Sequence, residues 1–176
     1  MVKVFLAAAL TTLATIASAQ VLAPVDGHNY TIYNAHNNRC ALLIGPYTND
    51  YVPIVMATCT GGTNELWTAH VNPTNPTLVS FSSVALPGSW LSWSTAEIVA
   101  PPGTTVADYS MHMHTIAHYT PYEWYIGRSP TICPSNSSTS GVLTSYVPRA
   151  AAGAQVSLLV IEPLNSGDSL QFFQLK

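Results

Sequence analysis

Apolar and polar residues alternate over short stretches along most of this chain. The apolar runs are rich in Val, Ile, Thr, Tyr and Trp, and turn-forming residues separate them, which is typical of β-strands. Thirteen prolines and ten glycines interrupt the sequence, and beyond its apolar start no segment keeps a helical period over three turns. Residues 150–154 are rich in alanine, but this stretch is short and contains a glycine. The pattern predicts an all-β protein.

The predicted strands fall into three groups of four, and each group ends on a large aromatic residue. These aromatics are Trp67, Trp124 and Phe173, and their spacing of roughly 50 residues is typical of one supersecondary unit used several times. We predict that the three rings pack in one shared interior. The predicted strands are Tyr30–Asn34, Cys40–Ile44, Ile54–Thr58, Leu66–Val71, Leu78–Val84, Trp90–Ser94, Ala107–Ile116, Glu123–Gly127, Thr131–Cys133, Gly141–Val147, Gln155–Ile161 and Leu170–Leu175.

The start of the chain has the pattern of a secretory signal peptide. Lys3 supplies a positive charge, residues 4–16 are largely apolar, and residues 17–19 form a small-residue cleavage site before Gln20. Three threonines interrupt the apolar run, which is shorter than the about 20 residues that a membrane span needs. We therefore expect residues 1–19 to be removed and the protein to be secreted and extracellular.

The remainder, residues 20–176, has the size of one domain and is long enough to bury a core. Within this single domain the three predicted repeats cover roughly residues 30–77, 78–128 and 129–176. The predicted linker at residues 97–105, which contains two prolines and a glycine, makes the second repeat the longest.

Charged residues are scarce, at 7% of the chain with a formal net charge of −3. A nucleic-acid-binding protein needs a basic face that displaces counterions from phosphates, and five Lys and Arg residues in the whole chain do not make one. The same scarcity argues against attraction to an anionic membrane. We expect no nucleic-acid partner and no membrane insertion. A surface of Ser, Thr, Asn and Tyr suits neutral partners such as sugars.

The three cysteines fit an oxidising compartment. Cys40 and Cys59 each lie in an apolar run, 19 positions apart, and are the predicted disulfide pair. Cys133 is left over, and we expect a buried thiol there, with an intermolecular disulfide as the alternative. Asn29 and Asn136 each begin a glycosylation sequon, so the chain is predicted to be a glycoprotein.

The usual motifs of catalysis and metal binding are missing from the sequence. It contains no Gly-x-Ser-x-Gly, no His-Glu-x-x-His and no phosphate-binding loop. His112 and His114 share one face of a predicted strand, with His118 four residues further, and such a group could hold zinc or copper. No Cys, Asp or Glu joins them in sequence, so we expect a solvated histidine face. We predict no enzyme, no metal and no cofactor.

The first repeat carries a recognisable motif: Tyr30-x-Ile32-x-Asn34, Cys40, Cys59, and then Asn64-Glu65-Leu66-Trp67. It resembles the ricin B-type lectin repeat, in which a Gln-x-Trp triplet recurs three times in a β-trefoil.

Glu65 stands where the family has glutamine. The third repeat keeps that glutamine, as Gln171-x-Phe173, and the second has Tyr122-x-Trp124. The resemblance spans residues 30–176 and implies a β-trefoil of three four-stranded repeats. It suggests a divergent secreted member of the family, for which a fungal source is expected.

The resemblance also implies where a sugar would bind. In the family an Asp after the strand-two cysteine and the Asn before Gln-x-Trp bind sugar hydroxyls, and an aromatic residue stacks on the sugar ring. Asn64 matches that asparagine, and Tyr47 or Tyr51 lies in the segment that supplies the aromatic. The aspartate position is Leu42, so Asp50 from the neighbouring loop is the candidate carboxylate.

The other two repeats lack these residues. Their aspartate positions are Ser92 and Thr144, and their asparagine positions are Pro121 and Leu170. The resemblance therefore implies at most one family-like sugar site, in the first repeat.

We expect a lectin that binds glycans or glycoproteins. Two alternatives remain open. One is a trefoil that binds protein through its loops at residues 97–105 and 134–140, for instance as an inhibitor of a target protease. The other is a non-catalytic structural or surface protein.

Overall fold

The computed structural model describes residues 23–44, 52, 54–94, 112–117, 121–126, 131–135, 141–146 and 156–176. Within these residues the chain forms twelve strands and two 3-10 turns, which are Thr63–Glu65 and Ser169–Gln171. None of the described residues forms a helix that is long and apolar enough to cross a membrane. The strands are β1 (Asn29–Asn34), β2 (Arg39–Leu43), β3 (Ile54–Thr58), β4 (Leu66–Val71), β5 (Leu78–Ser83), β6 (Ser89–Ser94), β7 (His112–Ala117), β8 (Trp124–Ile126), β9 (Ile132–Pro134), β10 (Gly141–Tyr146), β11 (Val156–Pro163) and β12 (Phe173–Leu175).

All twelve strands join one antiparallel sheet in a three-fold pattern. The first and fourth strands of each repeat form a continuous wall in the order β12-β1-β4-β5-β8-β9. The second and third strands of each repeat pair as the hairpins β2–β3, β6–β7 and β10–β11. These hairpins meet one another through the pairs β3–β11 and β7–β11. A wall of outer strands combined with three joined hairpins is the architecture of a β-trefoil, so the predicted fold class is confirmed.

The three repeat-closing aromatics lie in the core. Trp67 and Trp124 are fully buried, Phe173 is 3% exposed, and all three belong to one hydrophobic cluster. Each side chain occupies an inward position of a wall strand, because side chains alternate between the two faces of a strand. The cluster also takes inward residues from the hairpins, among them Leu43 and Leu91. The core is therefore shared by all three repeats.

The two tryptophans are held in the same way in two repeats. Trp67 Nε1 donates to the carbonyl of Ala41 in β2 at 3.0 Å, and Trp124 Nε1 donates to the carbonyl of Leu91 in β6 at 3.3 Å. A buried indole N–H needs such an acceptor. Phe173 has no donor, so the third repeat fills the same interior without this bond.

A disulfide joins Cys40 in β2 to Cys59, directly after β3, with their Cα atoms 5.2 Å apart. It closes the base of the first hairpin. All three cysteines belong to the described residues, and Cys133 forms no disulfide. Cys133 is half-buried, and burial raises the pKa of its thiol, while a hydrogen bond with Thr131 lowers it in part. A raised pKa favours the unreactive thiol over the thiolate.

Most predicted strands match the observed ones to within two residues. The exception is the last, because the predicted strand Leu170–Leu175 was wrong at its start. Ser169–Gln171 is a 3-10 turn, and β12 begins only at Phe173. The side chain of Asp168 accepts from the backbone N–H of Leu170 at 2.9 Å and begins this turn. Of the predicted strand Ala107–Ile116, residues 107–111 lie outside the described residues, and β7 ends at Ala117.

Candidate functional site

The first repeat closes on a 3-10 turn that buries an acid. Glu65 is 2% exposed. Its carboxylate accepts from the backbone N–H of Thr60 at 2.9 and 3.2 Å, and also from that of Gly61. Gly61 has a φ of 76°, a left-handed conformation that glycine adopts without strain. Glu65 is thereby committed to the protein's own backbone, and its carboxylate does not face a ligand.

Asn64, the residue before Glu65, is only partly buried. Its Nδ2 lies 3.4 Å from the carbonyl oxygen of Leu43, at the end of β2. A Cβ atom at Gly62 would lie 2.8 Å from Asn64 Oδ1, so any larger residue there would force the Asn64 amide to shift. Within the described part of the chain, no hydrogen bond to Asn64 Oδ1 is formed. The side chain can therefore offer an acceptor to a ligand.

Asn64 lies at the open end of the first hairpin. Leu43 pairs with Ile54, so this end of the β2–β3 hairpin lies next to the carbonyl that Asn64 contacts, and residues 45–51 belong to the sequence segment between the two strands. Tyr47, Asp50 and Tyr51 all belong to this segment and lie outside the described residues. The structure therefore places one of the four predicted sugar-binding residues and both ends of the segment that carries the other three.

The three positions where the resemblance expects an aspartate are all buried. Leu42 is 8% exposed, and Ser92 and Thr144 are each 1% exposed. Leu42 directly follows Ala41, and Ser92 directly follows Leu91, whose carbonyls hold the two indoles. Because Leu42 and Ser92 each follow a residue whose carbonyl accepts from a buried indole, they occupy equivalent positions in the first and second repeats.

The hydroxyls at these positions are already engaged. Ser92 Oγ donates to the carbonyl of Trp90, and Thr144 Oγ1 donates to the carbonyl of Val142, each at 3.2 Å. None of the three positions offers a carboxylate or an accessible hydroxyl to a sugar.

The third repeat keeps the turn but not the asparagine. Gln171 is 1% exposed, and its Oε1 accepts from the backbone N–H of Asn165 at 2.8 Å, as Glu65 does from its own loop. Leu170 stands at the position equivalent to Asn64, and in the second repeat that position is Pro121. Neither side chain has a hydrogen-bonding group, so among the three repeats only the first retains this polar group.

The two predicted sequons are placed differently. Asn29 is exposed at the start of β1, and its Oδ1 accepts from Thr68 Oγ1 at 2.8 Å. Asn136 lies outside the described residues. Glycosylation at both positions stays a prediction.

Sequence reasoning missed two arrangements. Asn34 is fully buried at the end of β1, and it donates to three carbonyls of the third repeat. His70, Ser82 and Trp90 meet on the outer face of β4, β5 and β6. The only sequence signal for the second group was the alternation of each strand, which places all three on the face opposite the core.

Within the described chain, no group of three or more His, Cys, Asp or Glu residues lies close enough to hold a metal ion. His112 and His114 belong to β7, and His118 lies outside the described residues.

No family model and no curated protein sequence matches this chain. Solved structures do. A Macrolepiota procera ricin B-like lectin in complex with lactose matches with a TM-score of 0.63 and 16% identity, over 87% of this chain and 97% of that one. An earthworm R-type lectin C-half in complex with GalNAc matches with a TM-score of 0.56 and 12% identity, over 84% and 97% of the two chains. A designed three-fold symmetric protein, ThreeFoil, matches with a TM-score of 0.57 and 13% identity, over 84% and 96%. At such identities the likeness concerns the fold, and this chain shares the β-trefoil fold of these proteins.

Proposed function

We propose that this protein is a secreted, lectin-like carbohydrate-binding protein that acts without catalysis. The proposal is supported by the fold, since ricin B-like and R-type lectins with this architecture were solved with lactose and GalNAc. It is also supported by composition, because a chain with 7% charged residues presents a largely neutral hydrogen-bonding surface. Free glycans or the glycans of glycoproteins would be its partners.

The proposed sugar site is the open end of the first hairpin. The observation that carries it is the position of Asn64, whose Nδ2 is tied to the carbonyl of Leu43 while Oδ1 remains able to accept. In the proposal this oxygen accepts from one sugar hydroxyl. Asp50 supplies a carboxylate that accepts from two more, because an ionised carboxylate has several acceptor positions. Tyr47 or Tyr51 stacks on the apolar face of the ring.

A glycan array probed with the secreted protein, residues 20–176, tests this function. We expect binding that free sugar competes away, and we expect Asn64→Ala and Asp50→Asn each to weaken it by about tenfold or more, since truncating one partner of a ligand hydrogen bond costs about 1.4 kcal/mol. The matched control is Leu170→Ala, which changes the equivalent position of the third repeat and should leave sugar binding intact. Melting temperatures of all variants show whether they fold.

Binding of mono- and disaccharides that survives both Asn64→Ala and Asp50→Asn would overturn the site. A protein that binds no glycan but slows a protease at near-stoichiometric ratio would overturn the function in favour of a loop-mediated inhibitor. A protein that does neither would favour a structural surface role.

A further inference from the structure

A row of polar and aromatic side chains crosses the outer face of three wall strands, β1, β4 and β5, and of the adjoining hairpin strand β6. Asn29 in β1, Thr68 in β4, Ser82 in β5 and Trp90 in β6 are directly opposite one another in successive strand pairs. His70 lies two residues beyond Thr68 on the same face. We call these five residues the wall row. With strands about 4.8 Å apart, its three spacings extend over about 14 Å, which is longer than one pyranose ring.

The wall row faces away from the core. Residues next to its members in sequence, namely Trp67, Ala69, Phe81 and Leu91, are fully buried. Because side chains alternate along a strand, the row's own side chains point outward. Asn29 is exposed, and the other four members are partly exposed.

Contacts between the row's members hold its groups in place. The His70 ring nitrogen Nε2 lies 2.8 Å from Ser82 Oγ. The His70 and Trp90 rings are 4.9 Å apart between centroids and tilted by 58°. At the other end, Thr68 Oγ1 donates to Asn29 Oδ1 at 2.8 Å. An aromatic ring that its neighbours already hold loses little conformational entropy when a ligand binds.

The chemistry of the wall row matches a neutral sugar chain. It presents an amide, two hydroxyls, an imidazole and an indole, and none of the five is Asp, Glu, Lys or Arg. Hydroxyls and amides both donate and accept, as sugar hydroxyls do. The indole offers a large apolar face with one N–H donor at its edge. An anionic ligand would find no paired cation here.

We propose that the wall row is a second carbohydrate-binding surface, which takes a neutral oligosaccharide extended across β1, β4, β5 and β6. One sugar unit stacks on Trp90, and the following units meet the hydroxyls of Ser82 and Thr68. This inference shares its ligand class with the proposed function but not its site, because Asn64 contacts the first hairpin instead. A glycan attached to Asn29 would begin at the end of the row and compete with a free oligosaccharide.

The test uses residues 20–176 produced without N-glycans, with the Cys40–Cys59 disulfide formed. Neutral oligosaccharides of three to six units are titrated while the indole N–H signals are followed by NMR, and Trp90→Phe identifies the signal of Trp90. We expect that signal to shift with saturation. The signals of Trp67 and Trp124 serve as internal controls, because their N–H groups are bonded to carbonyls in the core. A Trp90 signal that does not move under any oligosaccharide overturns the inference.

Calorimetry on variants separates the two sites. Trp90→Ala should weaken binding of the longer oligosaccharides by about tenfold or more, since an aromatic side chain that a bound ligand covers contributes much of the binding free energy. Trp90→Phe should restore most of the affinity. The matched control is Tyr125→Ala, which removes another aromatic side chain, 43% exposed on β8 and outside the row, and it should bind as the unmodified chain does.

The remaining outcomes distinguish this inference from the proposed function. If Asn64→Ala abolishes all binding and Trp90→Ala changes only the melting temperature, the wall row is a cross-strand packing feature and the inference fails, while the proposed function stands. If Trp90→Ala abolishes binding and Asn64→Ala has no effect, the inference holds and the hairpin site fails.

Discussion

The first and third repeats both end in a 3-10 turn, but the turns bury different side-chain groups. Each ends on a 3-10 turn whose last residue is buried and accepts hydrogen bonds from the backbone of the preceding loop. In the first repeat the acceptor is the Glu65 carboxylate, and in the third it is the Gln171 amide oxygen. Glutamate and glutamine can therefore both supply the buried acceptor of this turn.

The first and third repeats differ more in the bonds that stabilise them. The first hairpin is closed by the Cys40–Cys59 disulfide. The end of the third repeat is held by a residue of the first, because Asn34 Nδ2 donates to the carbonyls of Ser169, Leu170 and Phe172 at 3.3, 3.0 and 3.1 Å. The first repeat therefore has a covalent link of its own, and the third depends on its neighbour.

Removing the disulfide should have the largest effect. We expect the double variant Cys40→Ala/Cys59→Ala to lose about 3 kcal/mol of unfolding free energy, because closing a loop of this length restricts the unfolded chain by about that amount. Chemical denaturation measures it. Cys133→Ala is the control and should lose about 1 kcal/mol or less, since only a half-buried thiol is removed. If the double variant and Cys133→Ala lost equal unfolding free energy, the disulfide would not be the covalent link that stabilises the first repeat.

The second-largest effect is expected from removing the hydrogen bonds that Asn34 forms with the third repeat. Asn34→Ala should cost about 2 kcal/mol of unfolding free energy, because three partly buried carbonyls lose the donor that offsets their desolvation. Hydrogen exchange should show faster opening of β12 than of β2 and β3. Asn34→Asp keeps the oxygen that accepts from the backbone N–H of His36 and Asn37 but lacks the donor. We therefore expect it to be no more stable than Asn34→Ala. Uniform protection across the three strands would count against a local role for Asn34.

Converting one closing turn into the other should have a smaller effect. Glu65→Gln gives the first repeat the residue of the third, and it should cost about 1 kcal/mol, because one oxygen still accepts while the second acceptor is lost. Glu65→Ala leaves the N–H groups of Thr60 and Gly61 without their acceptor and should cost more. Thermal unfolding ranks the two variants, and the reverse ranking would contradict the proposed role of the carboxylate.

The smallest effect is expected at the end of the chain. Lys176 Nζ lies 3.1 Å from the centre of the Tyr33 ring, a cation–π contact between β1 and the residue after β12. Lys176→Met keeps the length of the side chain and removes its charge, and it should cost about 0.5 kcal/mol. Tyr33→Leu, tested alone and in combination, completes a double-mutant cycle, and a coupling energy of zero would show that the contact does not contribute.

Several features of this fold were readable from local sequence. The two-residue alternation predicted the strands, and Trp67, Trp124 and Phe173 marked the ends of three equivalent repeats. These signals are local, since a strand needs one buried face and a shared core needs one large side chain from each repeat. The final turn was misread because Leu170 to Phe173 looks like a continuing strand, and the cap from Asp168 interrupts it.

The candidate site was only partly predictable, and the reason is distance along the chain. Asn64 was found through a motif of consecutive residues, whereas its contact with Leu43, 21 positions earlier, required the hairpin to be folded. Asn34 meets carbonyls more than 130 positions away. The wall row joins residues of four strands that only the register of the sheet aligns. The sequence by itself determined the strands, the repeats and the buried aromatics, because each depends on local patterns of burial. Which polar side chains meet across repeats was decided by the tertiary structure alone, because strand register is set by the pairing of the whole sheet.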